Sequence, residues 1–151
     1  TLTASWACVL VCLLIAFAFI AAVVGVDFGP HVGLCLVALG AASLMSSAGG
    51  AALGSAGRAG IGVVSAITCL LSLFTGLYGP GAQSVANAVE LNAPLLAQAN
   101  PLWQASHCFY ALLYYDSLEP FARSCAVLAG MTGLFLAIAL IRARRMTHEH
   151  L

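Results

Sequence analysis

The sequence predicts an all-α integral membrane protein with four transmembrane helices and an outer helical hairpin between the third and fourth. Of its 151 residues, 62% are hydrophobic and only 7% are charged. A soluble domain carries about 25% charged residues, because its surface must face water. The mean hydropathy is +1.04. Four apolar segments are present, and about 20 such residues suffice to cross a bilayer. The exterior of this protein is therefore expected to face lipid.

The four predicted spans contain almost no charge. They cover about residues 6–26, 32–53, 61–77 and 121–141. The first lacks the basic leading region of a signal peptide and is followed by more spans, which favours a membrane helix over a cleaved leader. The third is slightly short but free of charge. Arg123 lies at the mouth of the fourth, from which its side chain can reach the headgroups.

The connections between the spans differ in length. Asp27 to His31 ("DFGPH") is a tight turn in which Gly-Pro prevents continuation of a helix. Gly54 to Gly60 ("GSAGRAG") is a second short turn and holds Arg58. Tyr78 to Pro120 is too long for a turn and too apolar for a solvated loop. The tail, residues 142–151, is "RARRMTHEHL".

The positions of the charges predict the orientation. Lys/Arg-rich flanks remain in the cytoplasm, so the three arginines at the start of the tail place the C-terminus inside. Counting back over four spans places the Arg58 turn and the N-terminus inside as well. Four of the five acidic residues then fall outside: Asp27, Glu90, Asp116 and Glu119.

Small residues crowd the end of the second span. The run "SLMSSAGGAALGSAG" contains Gly50-x-x-x-Gly54, and small residues let helix backbones approach closely in a bilayer. Helix packing through Gly50 and Gly54 is the main expectation. A sliding contact between helices that move is the alternative, and the sequence does not separate the two.

The cysteines and histidines do not indicate a metal site or a catalytic centre. None of the six cysteines forms a C-x-x-C pair, and Cys108 stands alone in the outer stretch. No histidine lies within a predicted span, as a membrane haem protein would require. The sequence also lacks hydrolase, metalloprotease and P-loop motifs, and it lacks the basic-aromatic pattern of nucleic-acid binding. We therefore expect no enzyme, no metal and no nucleic-acid partner.

The outer stretch predicts a helical hairpin over about residues 82–118. Gly and Pro in "GLYGPG" end the third span, and Val85 and Val89 have the spacing of a short surface helix. Pro101 suits the first position of a second helix. That helix carries several aromatic residues, which favour the depth of the headgroups: Trp103, Phe109, Tyr110, Tyr114 and Tyr115.

These motifs resemble the C-terminal portion of the membrane-spanning permease subunit of type-2, export-type ABC transporters. The similarity rests on the order of the segments, on "GLYGP" (Gly76–Pro80), and on Asn100-Pro101 before the aromatic helix. "FYALLYYD" (Phe109–Asp116) is similar to versions in permeases of Gram-positive bacteria. The likeness covers nearly the whole chain, which begins at Thr1 and would lack two earlier spans and a coupling helix.

The resemblance implies partners and roles. It implies an ATP-driven exporter in a bacterial plasma membrane, assembled from two permease copies and two ATP-binding cassette subunits, with both termini cytoplasmic. ATP and Mg would be bound by the ATPase subunit, and no cofactor by this chain. The hairpin would form an outer gate shaped by Asn100, Pro101, Trp103 and Phe109, with Tyr110 and Tyr114 beside them. Arg58 would lie in an ATPase-facing turn.

Two other hypotheses remain open. The first is a non-transporting four-span protein that binds or scaffolds another membrane complex. The second is a four-helix redox enzyme, which would require a disulfide involving Cys108.

Overall fold

The computed structural model describes residues 2–54, 58–76 and 78–148, with the side chains of all of these except 58–61 and 145–148. Over these ranges the chain is helical apart from its connections, and it forms no strand. The helices are α1 (Leu2–Phe19, continued by a π-helical turn, Ile20–Val24), α2 (Val32–Gly54), α3 (Arg58–Leu73), α4 (Pro80–Asn92), α5 (Pro94–Gln98), α6 (Pro101–Tyr114) and α7 (Glu119–His148). A short 3-10 turn, Gly29–His31, precedes α2.

Three of the described helical stretches are long and apolar enough to cross a bilayer. They are Leu2–Val24, Gly29–Gly54 and Glu119–Arg144, and they correspond to the first, second and fourth predicted spans. The third predicted span forms α3, which has 16 residues. At 1.5 Å per residue it is about 24 Å long, against a hydrocarbon core of about 30 Å. That α3, the third predicted span, crosses the membrane therefore stays a prediction.

The last helix continues well beyond the predicted end of the fourth span. The predicted cytoplasmic tail begins after residue 141, and α7 runs on through it to His148. The physical reason is that "RARRMTH" contains no Gly or Pro to end a helix, and that Arg, Ala and Met favour helical structure. The basic residues of the tail thus extend α7 past the apolar segment.

Helices α2 and α7 form the centre of the fold and run in parallel. A Cβ added at Gly49 would lie 3.9 Å from the Phe135 ring, and farther along Arg142 Nη1 donates to the carbonyl oxygen of Ala52 at 3.0 Å. Residue numbers increase together along both helices in these contacts. Buried small and apolar side chains fill the space between them and α6: Cys35, Ala38, Met45, Cys108, Ala111, Leu112, Phe121 and Leu128.

Helix α1 lies at the edge of the structure. None of its residues is buried, and it packs mainly on α2, where Trp6 Nε1 donates to Ser43 Oγ at 3.0 Å. A helix that is apolar on every side and still exposed is suited to lipid contact rather than to water.

Two glycines beside the turn before α4 offer a matched test of backbone constraint. Gly76 has φ +75°, and a Cβ there would lie 3.3 Å from the Cα of Gln83. We expect Gly76→Ala to lower the free energy of unfolding by about 1–2 kcal/mol, because a side chain is disfavoured in this left-handed conformation. Gly81 lies in α4 with open space around it, so Gly81→Ala should raise the free energy by about 0.5 kcal/mol. Detergent-mediated unfolding of both variants measures this difference. Equal effects would contradict it.

Candidate functional site

Asn100 connects the end of α3 to the beginning of α6. Its Oδ1 accepts from Leu102 N at 3.0 Å and so caps α6. Its Nδ2 donates to the carbonyl oxygen of Leu71 at 2.8 Å. That oxygen lies in the last turn of α3, where carbonyls lack partners within the helix, and the nearby Thr75 N–H binds Ser72 instead. One buried amide therefore serves two helix ends.

A polar network holds α5 against α6 and α7. Gln104, which is 3% exposed, donates from Nε2 to the Gln98 carbonyl oxygen at 2.7 Å. Arg123 Nη2 donates to Gln98 Oε1 at 3.1 Å. At the mouth of the fourth predicted span, Arg123 could extend towards the headgroups, whereas in the structure its guanidinium is turned to the connection before Asn100. This network fixes the chain at the point where α5 and α6 meet.

His107 joins α6 to α7 and stacks on Trp103. The two ring centroids are 4.6 Å apart and the ring planes are nearly parallel, and His107 Nδ1 shares a hydrogen bond with Ser124 Oγ at 3.0 Å. Burial lowers the pKa of His107 below its ordinary value of 6.5; Glu90 opposes the shift and Arg123 adds to it. The imidazole is therefore neutral at pH 7.

The lowered pKa of His107 predicts a pH-dependent stability. The unfolded chain takes up this proton near pH 6.5 and the folded chain only at lower pH, so the stabilisation is complete above pH 6.5 and is lost as the pH falls towards the folded pKa. We expect the free energy of unfolding to decrease over this window, and His107→Gln to flatten the decrease. Unfolding followed from pH 7.5 to 5 measures it. An unchanged slope in His107→Gln would refute this assignment.

Cys108 stands alone in the outer stretch of the sequence, but in the structure it has a cysteine neighbour. Its Sγ lies 3.8 Å from the Sγ of Cys125 on α7, and both thiols are free. Burial, and to a smaller extent the neighbouring thiol, raises the pKa of Cys108 to about 12. The Cys108 thiol is therefore protonated at neutral pH and reacts slowly.

A cleft of about 320 Å³ opens between α4 and α6; we call it the α4–α6 cleft. One wall is a face of α4, and the other carries the aromatic residues of α6 and the residue after it. Its lining comprises Thr75, Gln83, Ala86, Asn87, Glu90, Trp103, Ser106, His107, Tyr110, Tyr114 and Tyr115. Among the described residues that line the cleft, Glu90 is the one acidic residue, and neither lysine nor arginine occurs.

Two other cavities border the same helices. A smaller one of about 190 Å³ lies on the other side of Trp103 and His107 and includes Glu119 and Arg123. The third, about 350 Å³ and mostly apolar, lies between α2, α3 and α6, and both Gly50 and Pro101 line it.

The residues predicted for an outer gate all lie on or beside α6. Asn100 and Pro101 begin the helix, Trp103 faces two of the cavities, and Tyr110 stacks on Tyr114 with ring centroids 5.9 Å apart. Phe109 turns the other way and packs against the buried core. Their predicted role as a gate is a proposal, taken up below.

The predicted packing and ATPase-facing positions lie elsewhere. A Cβ at Gly50 or Gly54 would meet no other described atom within 4 Å, so the small residues packed inside the chain are their neighbours, such as Ala48 and Ala52. Packing through Gly50 and Gly54 stays a prediction. Residues 55–57 of the Arg58 turn, and the Arg58 side chain, lie outside what the structure describes.

Sequence reasoning missed Glu90, His107 and the Cys108–Cys125 pair as parts of this site. A signal for α4 was present, because Gln83, Ala86, Asn87 and Glu90 recur at one-face helical spacing. No sequence signal indicated the Cys108–Cys125 pair, because the proximity of the two residues depends on how α6 and α7 are aligned along each other. Among the described residues, no three His, Cys, Asp or Glu side chains group as metal ligands.

Comparison with known proteins gives one finding. The family model described as ABC-2 family transporter protein matches residues 1–141. No curated protein and no solved structure gives a significant match. The matched range includes every helix from α1 to α6 and most of α7, and so contains the whole candidate site.

Proposed function

We propose a function for this chain from one established premise, namely that it belongs to the ABC-2 family of transporter proteins. The match confirms the resemblance to a permease subunit. The protein is thus a multi-pass membrane component of an ABC transport system, a family that associates with an ATP-binding cassette subunit. We propose in addition that it is an ATP-driven exporter, which pairs with a second permease copy to enclose the substrate path.

We also propose that this exporter lies in a bacterial plasma membrane with both termini cytoplasmic. Its charges support that orientation, since arginines cluster at the end of α7 and acidic residues lie near its start. The parallel arrangement of α2 and α7 supports termini on the same side. The chain must return across the protein between them, and in this proposal α3 with the α4–α6 segment (Pro80–Tyr114) makes that return.

The observation that carries the proposal is the buried position of Asn100, hydrogen-bonded between α3 and α6, from which we infer its depth in the membrane. Only four residues, 115–118, join α6 to α7, and Cys108 and Cys125, each six residues into its helix from this connection, lie side by side, which supports an antiparallel hairpin. Cys125 lies about 9 Å along α7 from Glu119. From Cys108 back to Asn100 is about 12 Å more. The α4–α6 segment therefore supports a re-entrant structure that reaches the membrane interior from one side.

Non-helical backbone at such depth requires its polar groups to be satisfied by protein. Asn100, Gln104 and Gln98 meet that requirement through the hydrogen bonds given above. A re-entrant element held by a few polar bonds, beside open clefts, is suited to a gate that changes the access of the substrate path. In this proposal the chain carries out no chemistry, and ATP and Mg are bound by the ATPase subunit.

Co-purification tests the transport assignment. The full-length protein that contains this sequence, isolated from its native membranes in mild detergent, should retain an ATP-binding cassette subunit and a second permease copy. Reconstituted into vesicles, this complex should hydrolyse ATP faster than the isolated ATPase subunit. Retention of a different membrane complex, without any ATPase subunit, would favour the scaffolding hypothesis instead.

The gate has its own test. Asn100→Ala combined with Pro101→Ala should abolish most ATP-dependent export by the reconstituted complex, because the variant loses both the cap of α6 and its tie to α3. Asn92→Ala, which removes an exposed amide that donates to the Ala88 carbonyl oxygen within α4, is the matched control and should export normally. Unchanged export by the double variant would rule out the gate.

A further inference from the structure

We propose that the α4–α6 cleft binds an organic cation of the quaternary ammonium class, with the Glu90 carboxylate and the ring faces of Trp103, Tyr110 and Tyr115 as its recognition elements. This inference goes beyond the transport assignment. It concerns binding by the permease chain itself, which is measurable without ATP or a partner subunit.

The α4 wall of the cleft supplies one negative charge in a polar setting. Gln83, Ala86, Asn87 and Glu90 lie on one face of α4 and all line the cleft. Ala86 leaves room between the polar side chains. Because neither lysine nor arginine belongs to the lining as far as the structure describes it, the carboxylate is available to a cation that enters from solution.

The α6 wall supplies aromatic surface. Trp103 stacks on His107, whose ring centroid lies 6.2 Å from that of Tyr115. Tyr110 and Tyr114 form a second pair one turn farther along. Aromatic faces attract cations through their quadrupoles, and clusters of aromatic side chains recognise quaternary ammonium groups. Tyr110, Tyr114 and Tyr115 are largely exposed, so their surfaces are open to a ligand.

The positive groups near the cleft do not compete with such a ligand. His107 is neutral at pH 7 because burial lowers its pKa. Arg123 is directed to Gln98 and lines the smaller cavity on the far side of Trp103. The cleft is therefore acidic and aromatic, a combination that favours a cation over an anion or a neutral molecule.

The size of the cleft selects a small ligand or the headgroup of a larger one. Its volume of about 320 Å³ is at the lower end of the range for small-molecule sites, about 300–1,000 Å³. A trimethylammonium group with a short chain fits this space. The same chemistry occurs in free choline-like compounds and in choline lipids.

The test compares choline with 3,3-dimethyl-1-butanol, its neutral isostere, by calorimetric titration of the purified full-length protein in maltoside detergent. We expect choline to bind at least about tenfold more tightly, because the isostere keeps the shape but lacks the charge. Glu90→Gln and Tyr110→Leu should each weaken choline binding several-fold. Equal affinity for the two compounds, or no choline binding, would overturn the proposal.

Glu119→Gln is the matched control for Glu90→Gln. It removes the same charge from the neighbouring cavity and should leave choline affinity unchanged. If the two variants lost choline affinity equally, the effect would be one of overall charge, and the proposed site would be overturned. Both carboxylates are exposed, so each variant is expected to fold, and its unfolding midpoint checks this.

Titration in two different bilayers distinguishes a free quaternary ammonium compound from the headgroup of a choline lipid. Choline is titrated into the protein in nanodiscs of phosphatidylglycerol and, in parallel, of phosphatidylcholine. Weaker binding in phosphatidylcholine supports a lipid headgroup as the occupant, through competition. Equal binding in the two bilayers supports a soluble quaternary ammonium compound. Loss of binding in both bilayers would overturn the site.

Discussion

Replacing Asn100 with alanine is expected to lower the free energy of unfolding by about 2–4 kcal/mol. Two losses contribute to this value. The α6 N-cap is worth about 1 kcal/mol, and a buried carbonyl left without a donor costs about 1–3 kcal/mol. Both bonds depend on the one amide, which is 3% exposed, so little water is present to replace it.

Asn100→Ser separates the two contributions. Serine is also a favourable N-cap, but its side chain is too short to reach the Leu71 carbonyl as well. We expect it to recover about 1 kcal/mol relative to alanine while the remainder stays lost. Reversible unfolding in mixed dodecyl sulfate and maltoside micelles, followed by far-ultraviolet circular dichroism, measures both variants.

Asn92→Ala is the control for the Asn100 series. Asn92 is exposed, and its Nδ2 donates to the Ala88 carbonyl oxygen within the same helix. Surface substitutions of this kind change stability by about 0.5 kcal/mol or less. If Asn100→Ala cost no more than Asn92→Ala, the connection between α3 and α6 would not be a stabilising feature of this protein.

Membrane class and the positions of three helices were predictable because each depends on composition alone. Long apolar segments such as Leu2–Val24 must be helical in a bilayer, whatever they pack against. The end of α3 was less accessible to prediction. Residues 74–77 are apolar enough to extend the span, and α3 ends at Leu73 in a turn that includes Gly76, whose conformation few other residues adopt.

The candidate site was predictable only in part, for a different reason. Asn100 and Pro101 are a local capping signal, and they begin α6 as expected. The partners of α6 are a matter of register between helices distant in sequence. Nothing near His107 in the sequence indicates Ser124, and nothing near Tyr110 indicates Glu90. Residues spaced along one face of a helix distinguish that face from the others, but they do not show which helix packs against it.

Oxidation should join Cys108 to Cys125 and fix α6 against α7. The sulfur atoms are 3.8 Å apart and must approach to about 2.05 Å to form a disulfide, a small movement for two side chains. The raised pKa of Cys108, about 12, makes spontaneous oxidation slow, so copper-phenanthroline is used as the oxidant. Trypsin cleaves at Arg123, between the two cysteines, and a joined peptide in non-reducing mass spectrometry reports the bond.

The cross-link is expected to have a large effect on activity. If the α4–α6 segment is a gate that moves relative to α7, the disulfide should remove most of the ATPase stimulation of the assembled transporter, and dithiothreitol should restore it. Cys125→Ser should be insensitive to the oxidant. Cys69→Ser, which removes an exposed thiol on α3, should remain as sensitive as the unmodified protein.

Disulfide formation and ATPase activity test two different properties of α6, its packing on α7 and its movement relative to α7. Failure of the disulfide to form would contradict the register in which α6 packs on α7, and with it the depth inferred for Asn100. A complete disulfide with unchanged ATPase activity would leave that packing intact and contradict movement of α6 against α7. Reversible loss of activity that depends on Cys108 and Cys125 together would support both, because a bond between these helices prevents only motions that separate or slide them.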